Sequence, residues 1–282
     1  VNNFKVWLLM GLLSVLLVTI GGALGGSSGA MLFFLISLGM NFFSYYYSDR
    51  MALSMTKAKP VSEKEAPELY RIVRNLTQRA GLPMPRLYVT PSPQPNAFAT
   101  GRNPAHAAVA VTKGLLQLLN RSELEGVLAH ELAHIKNRDI LVGTIAAAFA
   151  GAIAMIANII QWGAIFGMGR DDDEGGAGII GALLLAIIAP IAAAIIQMAI
   201  SRSREYMADE TGAQFAGSGD GLANALRKLE TASQKIPMQV NPASSHLFII
   251  NPLSGQSFAR LFSTHPPISE RVERLGKMRI NR

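Results

Sequence analysis

His130, Glu131 and His134 stand in the pattern H-E-x-x-H, inside the stretch SELEGVLAHELAHIKNRD at residues 122–139. On a helix, residues four apart lie on one face about one turn from each other. Two imidazoles so placed can grip one Zn²⁺ and leave room for a third protein ligand and a water. Glu131, next to the first His, is in reach of that water as a general base. The alternative for such a spacing is a structural zinc site, which usually takes four protein ligands, often Cys. The chain has no Cys, and nothing near the motif offers a further pair of His.

The same stretch predicts the helix that must hold these groups. Ser122 and Glu125 have capping-box spacing, and Leu124, Val127, Leu128, Leu132 and Ile135 form an apolar stripe at helical period. The third ligand is expected from SRSREYMAD at residues 201–209. Glu205 can bind the metal. Asp209, one turn further on the same face, can accept a hydrogen bond from the far nitrogen of a zinc-bound His and fix its tautomer.

The elements around the site are those of a membrane protein. Half of the 282 residues are hydrophobic, and the mean hydropathy is +0.27, too apolar for an ordinary soluble domain of this size. The excess lies in four runs long enough to span a bilayer, at residues 6–24, 30–47, 140–168 and 179–200. The first two, joined by a Gly/Ser loop at 25–29, read as a helical hairpin with Tyr45, Tyr46 and Tyr47 at the interface. The expected organisation is therefore an N-terminal transmembrane hairpin (1–48), a first part of a protease domain with the H-E-x-x-H helix (49–139), a second transmembrane hairpin (140–200) and a second part of the protease domain bringing the third ligand (201–282). The fold class expected is a mainly α integral membrane protein: four transmembrane helices and a cytoplasmic α+β, zincin-like metalloprotease domain with a small β-sheet.

Outside the spans, residues 61–80 predict an amphipathic helix with a Ser62–Glu65 cap and Leu69, Ile72, Val73 and Leu76 on its buried face. Short strands are predicted at 86–90, 96–100 and 107–112, and their small side chains suit either an edge that binds an extended substrate by strand addition or plain sheet structure. Residues 220–234 read as a surface helix, 236–257 as a loop, and 268–278 as a last short helix.

Charge sets the orientation. Of the 26 Lys and Arg, all but Arg170 fall on one side of a four-span arrangement. Positive charge marks the cytoplasmic side, so both termini and the metal site are expected there. The net charge of +7 is thus explained by topology and by attraction to anionic lipid; no aromatic-basic motif points to nucleic acid. The topology also passes a test of its own. His134 precedes the third run by six residues, about 9 Å of helix, and Glu205 follows the fourth by five, about 7.5 Å. All three ligands then lie on one side at nearly one height above the lipid.

These segments together resemble the HtpX family of bacterial membrane-bound zinc endopeptidases, and more distantly the CAAX prenyl-proteases. The resemblance rests on NAFATG (96–101), VLAHELAHIKNRD (127–139), SRSREYMADETGA (201–213) and THPPISERV (264–272), and spans nearly the whole chain. It implies one Zn²⁺ held by His130, His134 and Glu205, with Glu131 as base and Asp209 behind a ligand. It implies endoproteolysis of misfolded or damaged membrane proteins at the cytoplasmic face of the inner membrane, in quality control under stress. It also places Asn96, Ala97 and Phe98 along the substrate backbone, His265 where it could donate to the developing oxyanion, and Arg271 where it could orient a carboxylate. His106 and His246 match no motif. The rival reading is a zinc-binding membrane adaptor or sensor without activity. A metal transporter is disfavoured, because the four runs contain no charged residue. Natural substrates and oligomeric state are not legible.

Overall fold

The computed structural model describes residues 2–142, 202–235, 249 and 266–278. Most of the expected third and fourth spans, the loop at 236–257 apart from Ile249, His246 and His265 lie outside the described residues.

Helix α1 (Asn2–Met55) is two antiparallel arms joined at Gly25–Gly26. Gly26 has φ +59°, a left-handed conformation that Gly adopts without a steric penalty. The bend is tighter than the loop expected at 25–29. Beyond it the arms touch backbone to backbone, since a side chain on Gly21 would strike the carbonyl of Gly29. Farther along, Asn41 Nδ2 donates to the carbonyl of Met10 and to Ser14 Oγ. The segment Gly25–Tyr47 is long and apolar enough to cross a membrane by length and composition.

The second arm continues past the aromatic belt to Met55 and reaches a four-stranded mixed sheet. Its strands are β1 (Lys59–Pro60), β2 (Arg86–Thr90), β3 (Ala97–Thr100) and β4 (Ala108–Thr112), in the order β1-β2-β4-β3. β2 and β4 are parallel, and the two outer pairings are antiparallel. The period of two along a strand divides the side chains between two faces. Phe98, Ala108 and Ala110 pack with Ala52 and Leu53 of α1. Leu87, Ala97, Ala99, Val109 and Val111 join the main core. The sheet is thus covered on both faces and fixed to the end of the long helix.

The main core lies between the sheet, α2 (Pro67–Ala80), α4 (Arg121–Lys136) and α6 (Asp220–Lys235). A short α3 (Lys113–Leu118) leads from β4 into α4, and α5 (Arg202–Ala216) and α7 (Ile268–Lys277) complete the domain. Leu69, Ile72, Val73 and Leu76 are buried on α2. That helix begins at Pro67 rather than residue 61. Ser62 and Glu65 do bond to each other, but in a turn: Ala66, ahead of Pro67, is pushed out of helical geometry by the proline ring. The cap of α4 also differs from expectation. The capping box is Asn120–Glu123, two residues upstream of Ser122–Glu125, while Ser122 Oγ donates to Asn120 Oδ1. Glu123 in turn accepts from Lys228 of α6 at 2.8 Å. The helix read as superficial at 220–234 buries Leu222, Ala225, Leu226 and Leu229 in that core.

Candidate active site

Helix α4 presents His130, Glu131 and His134 toward α5, and α5 answers with residues spaced at helical period. Gly212 sits against the backbone of α4: a Cβ there would lie 2.9 Å from His130 Cα and N, and 3.0 Å from the carbonyl carbon of Ala129. This close approach brings Asp209, one turn back, to His130, and Glu205, a further turn back, to both rings. Asp209 Oδ1 lies 3.0 Å from His130 Nδ1. Glu205 Oε2 is 3.7 Å from His130 Nε2, and Oε1 is 3.6 Å from His134 Nε2.

Each imidazole has its Nδ1 on a carboxylate. Asp209 takes that of His130, and both oxygens of Asp139 lie 3.1 Å from that of His134. With both Nδ1 atoms donating, the two Nε2 atoms present lone pairs, and they are 3.1 Å apart. Two acceptors at that distance repel unless a cation, a proton or a metal ion, lies between them. Asp139 was not singled out by sequence reasoning. Its place in HIKNRD carries no ligand spacing, and only the turn that follows α4 brings it back to the helix.

The ligand atoms of His130, His134 and Glu205 all lie within 4.8 Å of one another. Tetrahedral zinc, with bonds of roughly 2.0–2.2 Å, sets its ligand atoms roughly 3.3–3.6 Å apart, close to the separations here. Charge fits as well. Glu131, Asp139, Glu205 and Asp209 are buried together with Arg204 and Arg271. In the ion-free site protons on His134 and Glu131 offset the excess of carboxylates; with those protons displaced, four carboxylates against two guanidiniums leave two negative charges, which a divalent cation would cancel.

Arg271 reaches the centre from α7 and is fully buried. Its Nε and Nη2 fork onto Asp209 at 2.9 and 2.7 Å, and Nη1 lies 3.4 Å from Glu205 Oε2. Burial raises the carboxyl of Asp209, but Arg271 and His130 outweigh it and hold the group below its usual range. Burial also raises the Glu131 carboxyl, to about 7, against the opposing effects of His134, Arg271 and the backbone N–H of Ala99 that it accepts. For His134, burial lowers the pKa, yet Asp139, Glu205 and Glu131 together lift it to about 10. Burial keeps His130 below its ordinary value.

The contact between Glu131 and Ala99 ties the motif to β3, an edge strand of the sheet. Asn96, Phe98 and Thr100 face β4, as the Thr112 N–H bond to the Asn96 carbonyl and the strand register show. Ala97 and Ala99 therefore direct their backbone groups outward. The side chains named for substrate are engaged otherwise. Asn96 Oδ1 accepts from the N–H of Ala97 and from that of Ile249, Ala97 belongs to the core, and Phe98 packs on α1. His106 is exposed, with Nδ1 2.8 Å from Asn103 Oδ1, in a short 3₁₀ turn (Pro104–His106).

Comparison with known proteins agrees with this geometry. The model of peptidase family M48 matches residues 63–279. A protease HtpX homolog of Pelotomaculum thermopropionicum is 77% identical over 280 residues, covering 99% of this chain and 100% of its own. Another, from Thermococcus kodakarensis, is 59% identical over 272 residues, covering 96% and 93%. Among solved structures, S. mikatae Ste24p aligns with a TM-score of 0.46 and 20% identity, over 87% of this chain and 64% of that one. With a metallopeptidase motif facing a third acidic residue that could complete a metal site, and a family match across most of its length, the chain belongs to peptidase family M48 and is a metalloprotease.

Proposed function

We propose that the protein is a zinc-dependent endopeptidase that cuts membrane proteins beside the lipid surface. The observation that carries this reading is the pair of imidazole Nε2 atoms 3.1 Å apart, each ring backed by a carboxylate and both facing Glu205. His130, His134 and Glu205 would hold one Zn²⁺. Bound there, the ion would supply Lewis-acid polarisation of the scissile carbonyl and acidify a water.

The chain's own residues do the rest. Glu131 takes a proton from the attacking water and returns it to the leaving amine. A carboxyl raised by burial suits that shuttle, because it is close to the working pH in both directions. The Ala99 N–H holds the carboxylate in place. Asp209 and Asp139 would keep both rings in the tautomer that turns Nε2 to the metal, and Arg271 keeps Asp209 ionised and lies 3.4 Å from Glu205. An extended substrate would pair with the outward carbonyls of Ala97 and Ala99, whose N–H groups are held by Asn96 and Glu131, so recognition there is by main chain and tolerant of sequence. His265 is assigned to the oxyanion only through the family resemblance.

Membrane residence is supported by the hairpin. Large apolar side chains on both arms, including Trp7, Val15, Met31, Leu35 and Phe43, are exposed, as lipid-facing residues are. Six residues of continuous helix separate Tyr47 in the aromatic belt from Leu53 beneath the sheet, a rise of about 9 Å. That spacing sets β3 within reach of segments just outside the bilayer. We read residues 140–200 as a second hairpin between the two parts of the protease domain. On this reading, which the charge distribution supports, the site and both termini lie at the cytoplasmic face of a bacterial inner membrane, with misfolded or damaged membrane proteins as the substrate class.

Glu131→Gln tests the assignment. Purified in detergent, the variant is expected to retain stoichiometric zinc while cleavage of an unfolded protein falls about 10²–10⁴-fold or more. Cleavage at the wild-type rate would refute the role given to Glu131.

A further inference from the structure

Helix α4 ends in a way that nothing about its local sequence recommends. Asn137 closes the helix, and Arg138 then adopts φ +57°. The Asp139 N–H bonds to the carbonyl of His134, and the Arg138 N–H to that of Ile135. These are the two bonds of a Schellman turn, a motif that usually places Gly at the left-handed position. Arg in its place is strained by its Cβ, and the Arg138 side chain is exposed. The strain has a visible product. The turn folds Asp139 back one helical turn, so that its buried carboxylate meets the Nδ1 of His134 with both oxygens at 3.1 Å. The next residues then leave for two different cores: Ile140 enters the main one, and Leu141 and Val142 pack with α1.

We infer that Asp139 is the positioning residue of His134, aimed by the left-handed turn at Arg138. The inference rests on the zinc reading given above. The two ligand rings are thus held differently. His130 is fixed across a helix–helix contact by Asp209, while His134 is fixed by the end of its own helix. A carboxylate on the far nitrogen orients the ring and raises its basicity toward a metal. Because the turn also starts the segment that packs on the hairpin, the orientation of His134 is built into the junction between catalytic helix and membrane helices.

The test is zinc affinity by chelator competition in the full-length detergent-solubilised protein, measured alongside the melting temperature of the ion-free form. Asp139→Asn is expected to weaken zinc binding about 10–100-fold with little change in ion-free melting. A merely structural Asp139 would do the reverse, lowering the melting temperature and sparing affinity. The turn is tested separately by an exposed position. Arg138→Gly relieves the strain and should bind zinc at least as tightly as wild type. Arg138→Val, which tolerates the left-handed region worst, should bind roughly fivefold or more weakly than the glycine variant. Equal affinities for Asp139→Asn and wild type, or for the Gly and Val variants, would overturn the inference. Failure of the wild type to bind zinc in the same assay would instead remove the reading on which it rests.

Discussion

Gly212→Ala is the smallest change that should open the metal site from a distance. The added methyl would sit 2.9 Å from His130 Cα and N and 3.0 Å from the Ala129 carbonyl carbon. These are backbone atoms of a buried helix and cannot rotate away. Restoring ordinary contact at about 3.6 Å requires α5 to move from α4 by about 0.7 Å. Glu205 lies two turns along the same face, so its separations of 3.6 and 3.7 Å from the ring nitrogens would grow with it. Zinc–ligand distances tolerate about 0.2 Å, and a loss of about 10–100-fold in affinity follows, the range seen when ligand support is disturbed. Overpacking of this kind costs about 1–3 kcal/mol, offset by about 1 kcal/mol of helix propensity gained on replacing Gly. The expected pattern is a small change in ion-free stability with a large change in zinc binding. Chelator competition and thermal melting of the same preparation measure both. Affinity within twofold of wild type would show that the α4–α5 distance does not set the ligand geometry.

Two further outcomes follow from the buried charges. Arg271→Ala leaves Asp209 and Glu205 without their guanidinium, and removing one partner of a buried ion pair costs about 3–5 kcal/mol; denaturant unfolding should show that loss, and Arg271→Lys, which cannot fork onto Asp209, should recover only part of it. Zinc affinity should rise with pH. His134 holds a proton up to about 10 and Glu131 up to about 7 in the ion-free site, so binding expels protons. The dissociation constant should fall by about tenfold per unit or more through roughly pH 6–8, and a flat profile would contradict the tautomers assigned here. In the loaded enzyme the cation would bring the Glu131 carboxyl back down from its raised value of about 7, so the acid limb of kcat/KM, where the base becomes protonated, should lie below pH 7.

What was legible in the sequence was whatever depends on period. His130 and His134 share a face because they are four apart, Glu205 and Asp209 for the same reason, and the buried faces of α2 and α4 follow their apolar stripes. What depended on competition between local signals was displaced. Two overlapping capping-box registers precede α4, and Asn120 wins by starting the helix earlier than Ser122. The Ser62–Glu65 pair forms its bonds without nucleating a helix, because Pro67 holds Ala66 out of the α region. What depended on a single backbone exception was invisible. Asp139 reaches His134 only through a left-handed arginine, a position where no Gly marks the turn. Asn96 illustrates the limit of motif reading. Its segment does lie along the edge strand beside Glu131, yet its amide oxygen is engaged with the N–H groups of Ala97 and Ile249, so a substrate in that position would meet β3 by its backbone.

X-ray absorption at the zinc K-edge of the purified, zinc-loaded protein addresses the central claim most directly. Two imidazoles and a carboxylate on one ion predict scattering from two histidine rings, with nitrogen and oxygen neighbours at about 2.0–2.2 Å and no sulfur, and Glu205→Ala should remove an oxygen neighbour or the ion itself. A first shell with three imidazoles, or an unchanged spectrum at full occupancy in Glu205→Ala, would contradict it.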